Sequence, residues 1–302
     1  MNNKKTYDVI IIGGSYAGLS AAMALGRSLR QVLVIDSGLA CNHQTPHSHN
    51  FLTRDGEKPT AIAKKAMKQV LAYDTVKLRQ AKAENAVKEG DLFKIETNTE
   101  GVFYAKKLLF ATGVVDIMPE IKGFGKCWGI SVLHCPYCHG YEVANTKLGI
   151  LANGDMAFEM VKLIKNWTHQ LTLFTNGKSL LNAEQRAKIA AHPIEIVEKE
   201  VENIEHKKGY IHNLNFKDKS SVPLNALFAR TAFKQHCELP MFLGCEMNEM
   251  GYVKTDDFKR TSVEGVYAAG DNTTQFRSVA FAIAAGNIAG TMMNKDLIEE
   301  NL

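Results

Sequence analysis

The chain has 302 residues, 45% of them hydrophobic and 23% charged. That composition excludes a disordered, collagen-like or coiled-coil protein, and at roughly 150 residues per domain it predicts about two domains. A net charge of +4, from 36 basic and 32 acidic residues, gives no electrostatic basis for nucleic-acid binding, and six cysteines are too few for a disulfide scaffold of this size. The N-terminal apolar run is about six residues, shorter than the roughly 7–15 of a signal peptide core, and Gly13 and Gly14 interrupt it. No stretch approaches the ~20 apolar residues of a membrane span. The expectation is a cytoplasmic protein with no membrane and no nucleic-acid partner.

Tyr7 to Ile12 reads as a buried β-branched strand. Gly13-Gly14-Ser15-Tyr16-Ala17-Gly18 follows and opens a helix with apolar Leu19, Ala22, Met23 and Leu25. A second strand, Val32 to Ile35, ends at Asp36. This is a dinucleotide fingerprint in its structural setting. Gly13 allows the tight turn, and Gly18 lets helix and strand approach. The helix N-terminus offers N–H groups and a positive dipole to a pyrophosphate. Asp36 can accept hydrogen bonds from ribose hydroxyls. Ser15 departs from the pattern, standing where the middle glycine belongs.

Cys41, His43, His47 and His49 place four potential ligands within nine residues. Copper or zinc is one reading and a solvated loop another; the preferred one, a cofactor lining with histidines as proton relays, is what the family resemblance given below implies. Asp55 to Pro59 is a turn. Thr60 to about Tyr73 is a helix with a lysine-rich solvated face. Phe93 to Glu96, a turn at Asn98-Thr99-Glu100-Gly101, and Val102 to Phe110 read as a hairpin that ends in Ala111-Thr112-Gly113.

His134-Cys135-Pro136-Tyr137-Cys138-His139 is the most informative segment. Cysteines at this spacing can close a disulfide or share a metal. A structural zinc site wants a second pair, and Cys237 and Cys245 are eight apart. The redox reading is favoured, because such thiols have lowered pKa values and react as thiolates. No metal is expected.

Leu148 to Leu151, a helix from Met156 to Trp167, and Leu171 to Phe174 form a second β–α–β unit. Its turn, Ala152-Asn153-Gly154-Asp155, lacks the first glycine, and Asp155 adds negative charge where a pyrophosphate would lie. Phe174-Thr175-Asn176-Gly177-Lys178 holds neither the arginines that pair a 2′-phosphate nor the acid that binds a free ribose. This argues against NADPH at the usual place. Glu202 to Phe228 reads as antiparallel strands turning at Lys207-Lys208-Gly209. Cys237 and Cys245 read as inert thiols. Gly265 to Asp271 is a strand ending in Gly270-Asp271, and an alanine-rich helix runs from about Ser278 to Asp296.

Gly270-Asp271 with the following helix resembles the closing FAD motif of flavoproteins with two dinucleotide domains. Ala111-Thr112-Gly113 resembles the strand end where the chain leaves the FAD domain. With the central C-x-x-C, the whole chain resembles the low-molecular-weight thioredoxin reductase family. The implied fold is α/β, with two Rossmann-like three-layer domains. The FAD domain would be discontinuous, 1–116 and 245–302, and 117–244 would be an NAD(P)-binding-like domain carrying the redox pair. FAD would be held by Gly13, Ser15, Ala17, Gly18, Asp36, Asn50, Ala111, Thr112, Gly113, Gly270, Asp271, Val279 and Ala280. Cys138 would face the flavin, and Cys135 would exchange with substrate. His139 stands where the family usually has Asp as proton carrier, and imidazole can serve at neutral pH. Cys-x-x-Cys-His-Gly-Tyr-Glu, ending at Glu142, is similar to the branch containing the fungal and bacterial dithiol oxidases of natural-product biosynthesis. The expected function is FAD-dependent dithiol oxidation with O2 as acceptor and a small or peptide dithiol as substrate. The alternatives are a reductase of thioredoxin or a small disulfide, fed by NADPH at an atypical site or by ferredoxin, and a flavin-bound redox sensor. The family resemblance implies a homodimer.

Overall fold

The computed structural model describes residues 6–38, 40–99 and 101–300. Glu100 of the expected hairpin turn lies outside the described residues. The chain divides into two units. Unit 1 comprises Met1–His43, Phe51–Val115 and Phe233–Leu302, and unit 2 comprises Gln44–Asn50 and Asp116–Ala232.

Unit 1 begins with β1 (Thr6–Ile12), α1 (Tyr16–Arg27), β2 (Val32–Asp36), α2 (Pro59–Val70), β3 (Val76–Gln80), β4 (Ala83–Glu89), β5 (Leu92–Thr97) and β6 (Val102–Phe110). The chain crosses to unit 2 within β7 (Val114–Ile117). Unit 2 then holds α3 (Phe124–Cys127), β8 (Val132–Leu133), α4 (Pro136–His139), a 3-10 turn (Tyr141–Val143), β9 (Leu148–Leu151), α5 (Gly154–Ile164) and β10 (Leu171–Phe174). It continues through α6 (Ala183–Ala190), β11 (Ile194–Val197), β12 (Val201–Lys207), β13 (Tyr210–Phe216), β14 (Ser221–Pro223) and β15 (Ala226–Ala229). The return passes through β16 (Ala232–Gln235) to α7 (Leu239–Phe242), β17 (Val266–Ala268) and α8 (Val279–Glu299) in unit 1.

The main sheet of unit 1 runs β3-β2-β1-β6-β5-β4, with β17 also on β6. Its nucleotide-binding core is parallel, with Ile12 opposite both Ile35 and Phe110, and Ala268 opposite Phe110. The β-branched run of β1 serves two cores because side chains alternate across a strand. Val9 and Ile11 pack with Ala17, Ala21 and Leu25 of α1 and Ala285 and Ala289 of α8, whereas Ile10 and Ile12 pack with Leu33, Ile95 and Leu108. Small residues set the helix contact: a Cβ on Gly286 of α8 would meet the Ala17 carbonyl oxygen of α1 at 2.0 Å. In α2, Ile62 and Val70 are buried, and Lys64, Lys65 and Lys68 face solvent.

Unit 2 is built on a parallel sheet, β11-β10-β9-β15-β8, and carries the antiparallel sheet β12-β13-β14. This corrects one expectation. The stretch from Glu202 to Phe228 is antiparallel only as far as β14. Its last strand, β15, pairs in parallel with both β9 and β8. All four β15 residues are buried, as a central parallel strand requires. The passage back to unit 1 also comes earlier than the expected 245, at Phe233. Leu239 and Cys245 already belong to the unit 1 core with Val266 and Ala268, and no glycine- or proline-rich linker marks the change. Among the described residues, no helix is long and apolar enough to cross a membrane.

Candidate active site

The C-terminal ends of β1, β2, β6 and β17 converge in unit 1 and gather most of the residues predicted to hold FAD. The Gly13 N–H donates to the Ile35 carbonyl at 2.8 Å, and the Gly14 N–H donates to Asp36 Oδ1 at 3.1 Å. Gly13 has φ of +108°, and a Cβ there would stand 2.2 Å from the Ala111 carbonyl oxygen. The glycine turn thus lies directly on the Ala111-Thr112-Gly113 strand end. Gly18 is equally constrained, since a Cβ would lie 1.9 Å from the Gly13 carbonyl oxygen. Gly270 has φ of +98° and comes within 3.1 Å, by its missing Cβ, of the Ala17 Cβ. Asn272, fully buried, donates from Nδ2 to the Phe110 carbonyl at 2.9 Å and ties the β17 end to β6.

The residues present fit an FAD. Ser15 is the N-cap of α1, yet its side chain makes no capping hydrogen bond, and the first turn contains no acid. The amides of Tyr16, Ala17 and Gly18 have no intrahelical acceptor by the geometry of a helix start, so a pyrophosphate meets N–H groups and the positive end of the dipole. Thr112 Oγ1 is buried with no hydrogen-bond partner among the described residues, a polar atom that a bound ligand would satisfy. Asp271 lies 3.5 Å from Arg277, an ion pair not foreseen from sequence. At α8, Ser278 caps the helix by accepting from the Phe281 N–H at 3.1 Å, which leaves the Val279 and Ala280 amides at the helix tip. Asn50 has a left-handed φ of 58° and sits on the 44–50 loop, which belongs to unit 2.

In unit 2, Cys135 and Cys138 form a disulfide with Cα atoms 5.3 Å apart. Cys135 is the N-cap of α4, Pro136 starts the helix, and the His139 N–H donates to the Cys135 carbonyl at 3.2 Å. A proline at the first helical position fits because that amide has no acceptor there. Gly140 closes the turn against Trp167, whose Nε1 would stand 2.7 Å from a Cβ. Tyr137 is exposed and meets Trp167 edge to face, with ring centroids 5.7 Å apart.

The histidines of the 44–50 loop meet this turn. The His49 and His139 rings are 6.2 Å apart in a T-shaped contact, and His47 lies 6.3 Å from His49. His49 Nδ1 is 3.3 Å from Glu142 Oε1, an ion-pair distance. Burial lowers the His139 pKa below the ordinary histidine value, His49 lowers it further, and Glu142 opposes both. His139 is therefore held as a neutral imidazole able to take a proton. Glu142 entered the sequence reading only as the end of the Cys-x-x-Cys-His-Gly-Tyr-Glu motif, without a role, because its partner is remote in the chain. His43 lies in unit 1, so the dense Cys41–His49 segment is split between units. Among the described residues no group of three or more His, Cys, Asp or Glu side chains is arranged to hold a metal ion. Burial raises the pKa of both Cys237 and Cys245, which keeps those thiols protonated at neutral pH.

The glycine turn of the second β–α–β unit departs from a pyridine-nucleotide turn. Asn153 caps α5, which starts at Gly154, ahead of the expected Met156. Its Oδ1 accepts from the Gly154 N–H at 2.9 Å and the Leu180 N–H at 2.7 Å. Its Nδ2 donates to the carbonyls of Thr175 at 3.1 Å and Lys178 at 2.9 Å. One side chain thus links the turn to the loop after β10, and it takes an amide that a pyrophosphate would use. Asp155 accepts from Gln185 Nε2 at 2.7 Å and keeps a negative charge beside the turn. Asn153→Ala should cost about 2 kcal/mol, the size of a strong N-cap and its coupled hydrogen bonds. A denaturant midpoint unchanged from the parent would contradict this role.

A family model described as pyridine nucleotide-disulphide oxidoreductase matches residues 7–286. The thioredoxin reductase tcpT of Claviceps purpurea is 31% identical over 311 residues, covering 99% of this chain and 97% of that protein. The thioredoxin reductase sirT of Leptosphaeria maculans is 30% identical, covering 95% of this chain and 93% of that protein. A solved oxidoreductase from Agrobacterium tumefaciens superimposes with a TM-score of 0.91 at 35% identity, covering 97% of this chain and 99% of that one. The chain belongs to the pyridine nucleotide-disulphide oxidoreductase family. Within it, the chain is a thioredoxin reductase-like flavoprotein, an FAD-dependent oxidoreductase with two Rossmann-like domains.

Proposed function

We propose that this flavoprotein oxidises a small or peptide dithiol to its disulfide, with O2 as the final acceptor. The observation that carries the reading is the self-filled turn at Asn153, together with a β10 end that holds no arginine and ties itself off. There Thr175 Oγ1 donates to the Gly177 carbonyl at 2.6 Å, and Asn176 Oδ1 accepts from the Val201 N–H at 2.8 Å. These features favour electrons entering from a dithiol over entry from NADPH.

The residues supply a balanced route. His139 takes the proton of one substrate thiol as its sulfur attacks Cys135. The Cys135–Cys138 bond breaks, and Cys138 leaves as a thiolate beside the new imidazolium. The second substrate thiol then attacks the mixed disulfide, which releases Cys135 and the substrate disulfide. The pair has gained two electrons, and the two substrate protons stay on the cysteines and His139. FAD would be held in unit 1 by Gly13, Ser15, Ala17, Gly18, Asp36, Ala111, Thr112, Gly113, Gly270, Asp271, Val279 and Ala280, and when bound it would supply a two-electron acceptor for the reduced pair, with O2 as the final acceptor. The sum is one dithiol and one O2 to one disulfide and one H2O2. The family resemblance supports a homodimer.

Oxygen uptake with dithiothreitol as the dithiol tests the proposal. One O2 should be consumed per disulfide formed, and catalase should return half of it. No uptake with dithiols, together with NADPH- or ferredoxin-driven disulfide reduction, would overturn it in favour of a reductase.

A further inference from the structure

We infer that Glu142 and His49 act as a positioning pair for the His139 imidazole, holding it for proton transfer at the Cys135–Cys138 disulfide. This rests on the reading of His139 as the proton carrier and adds the groups that place it.

The 44–50 loop interrupts unit 1 in the chain, since both neighbouring segments, up to His43 and from Phe51, belong to that unit. The loop itself packs with the disulfide's unit. Ser48 is buried, and a Cβ on Gly129 would stand 2.9 Å from Thr45 Oγ1, so the loop lies against the turn before β8. This detour sets the His49 ring edge-on to His139, with centroids 6.2 Å apart and planes at 87°. Glu142, on the 3-10 turn that follows α4, lies 3.3 Å from His49 Nδ1 through its Oε1. The carboxylate contact ties His49 to the 3-10 turn, and the edge-on His49 ring stands against His139. Among the described residues, the titratable groups that act on His139 are His49 from the loop, with His47 beyond it, and Glu142 from the 3-10 turn. Tyr137 turns instead to Trp167.

The two members act on His139 with opposite sign. His49 lowers its proton affinity and Glu142 raises it, so removing each should move the titration in opposite directions.

The test is single-turnover reduction of the Cys135–Cys138 disulfide in the whole FAD-loaded protein by dithiothreitol under argon. The reaction is quenched with an alkylating reagent and the free thiols are counted by mass. This readout needs neither O2 nor a pyridine nucleotide. Between about pH 5 and 7, bracketing the ordinary histidine pKa near 6.5, the rate should show a limb set by His139. His49→Gln should shift that limb to higher pH and Glu142→Gln to lower pH. Each should lower the plateau on the order of tenfold through lost positioning. Glu142→Asp, which keeps the charge, should restore the limb in part. Limbs that stay in place, or move the same way in both variants, would overturn the inference. A parent protein whose disulfide dithiothreitol does not reduce would overturn the dithiol-oxidase reading instead. Thermal unfolding midpoints within a few degrees of the parent separate either result from misfolding.

Discussion

Cys138→Ser should abolish dithiol turnover, by at least about a thousandfold, the scale on which removing a covalent catalytic group acts. Without Cys138 the disulfide cannot form, so a substrate thiol has no sulfur–sulfur bond to attack. The remaining Cys135 should keep its exchange chemistry. It sits at the N-cap of α4, at the start of the redox turn. With oxidised glutathione as probe, Cys138→Ser should gain one glutathione as a mixed disulfide at Cys135, reversible by dithiothreitol. Cys135→Ser should lose turnover equally but capture glutathione more slowly. A redox sensor predicts a different pattern, with little turnover in the parent for either variant to lose. Retained turnover in Cys138→Ser would contradict a role for the pair in catalysis.

Gly13→Ala should give a protein that retains no FAD. Two effects combine at this position. The backbone holds φ of +108°, a conformation that costs an L-residue about 1 kcal/mol or more. The added methyl would also lie 2.2 Å from the Ala111 carbonyl oxygen, so the turn and the Ala111-Thr112-Gly113 strand end must separate. Both flank the nucleotide site, and neither can shift without moving β1 or β6. Because this variant can also unfold unit 1, Thr112→Val is the informative companion. Thr112 Oγ1 is a buried atom with no hydrogen-bond partner among the described residues, so valine removes an unsatisfied hydroxyl at nearly constant shape. The apoprotein should become about 1 kcal/mol more stable, while FAD binds about tenfold more weakly. Apoprotein stability and flavin affinity that both fall would show that the hydroxyl serves the fold rather than the cofactor.

The parts legible in the sequence were those whose signals are local. The β1–glycine turn–α1–β2 unit was readable because a β-branched run, a required glycine and an apolar helix face lie within one short segment. Leu148 to Leu151 and Leu171 to Phe174 emerge with the bounds read from their apolar runs. The redox pair was readable from its spacing. What escaped depends on contacts between remote segments. Asn153 looked like a broken fingerprint position, and only its four hydrogen bonds show it closing the turn. Glu142 follows the redox turn as an ordinary surface acid, and its meaning comes from His49 in a loop that the chain lends to the other unit. β15 looked like one more strand of an antiparallel run, because a short apolar strand does not state its partner's direction. The return to unit 1 at Phe233 is marked by core membership alone.

The central claim is that electrons enter through the Cys135–Cys138 dithiol and not from a pyridine nucleotide. The most direct measurement is anaerobic mixing of the yellow protein with NADPH, NADH and dithiothreitol in turn, following the visible flavin absorbance. Neither nucleotide should change it, dithiothreitol should bleach it, and admitting air should restore it. Rapid bleaching by NADPH or NADH would contradict the account and assign the electrons to a pyridine nucleotide.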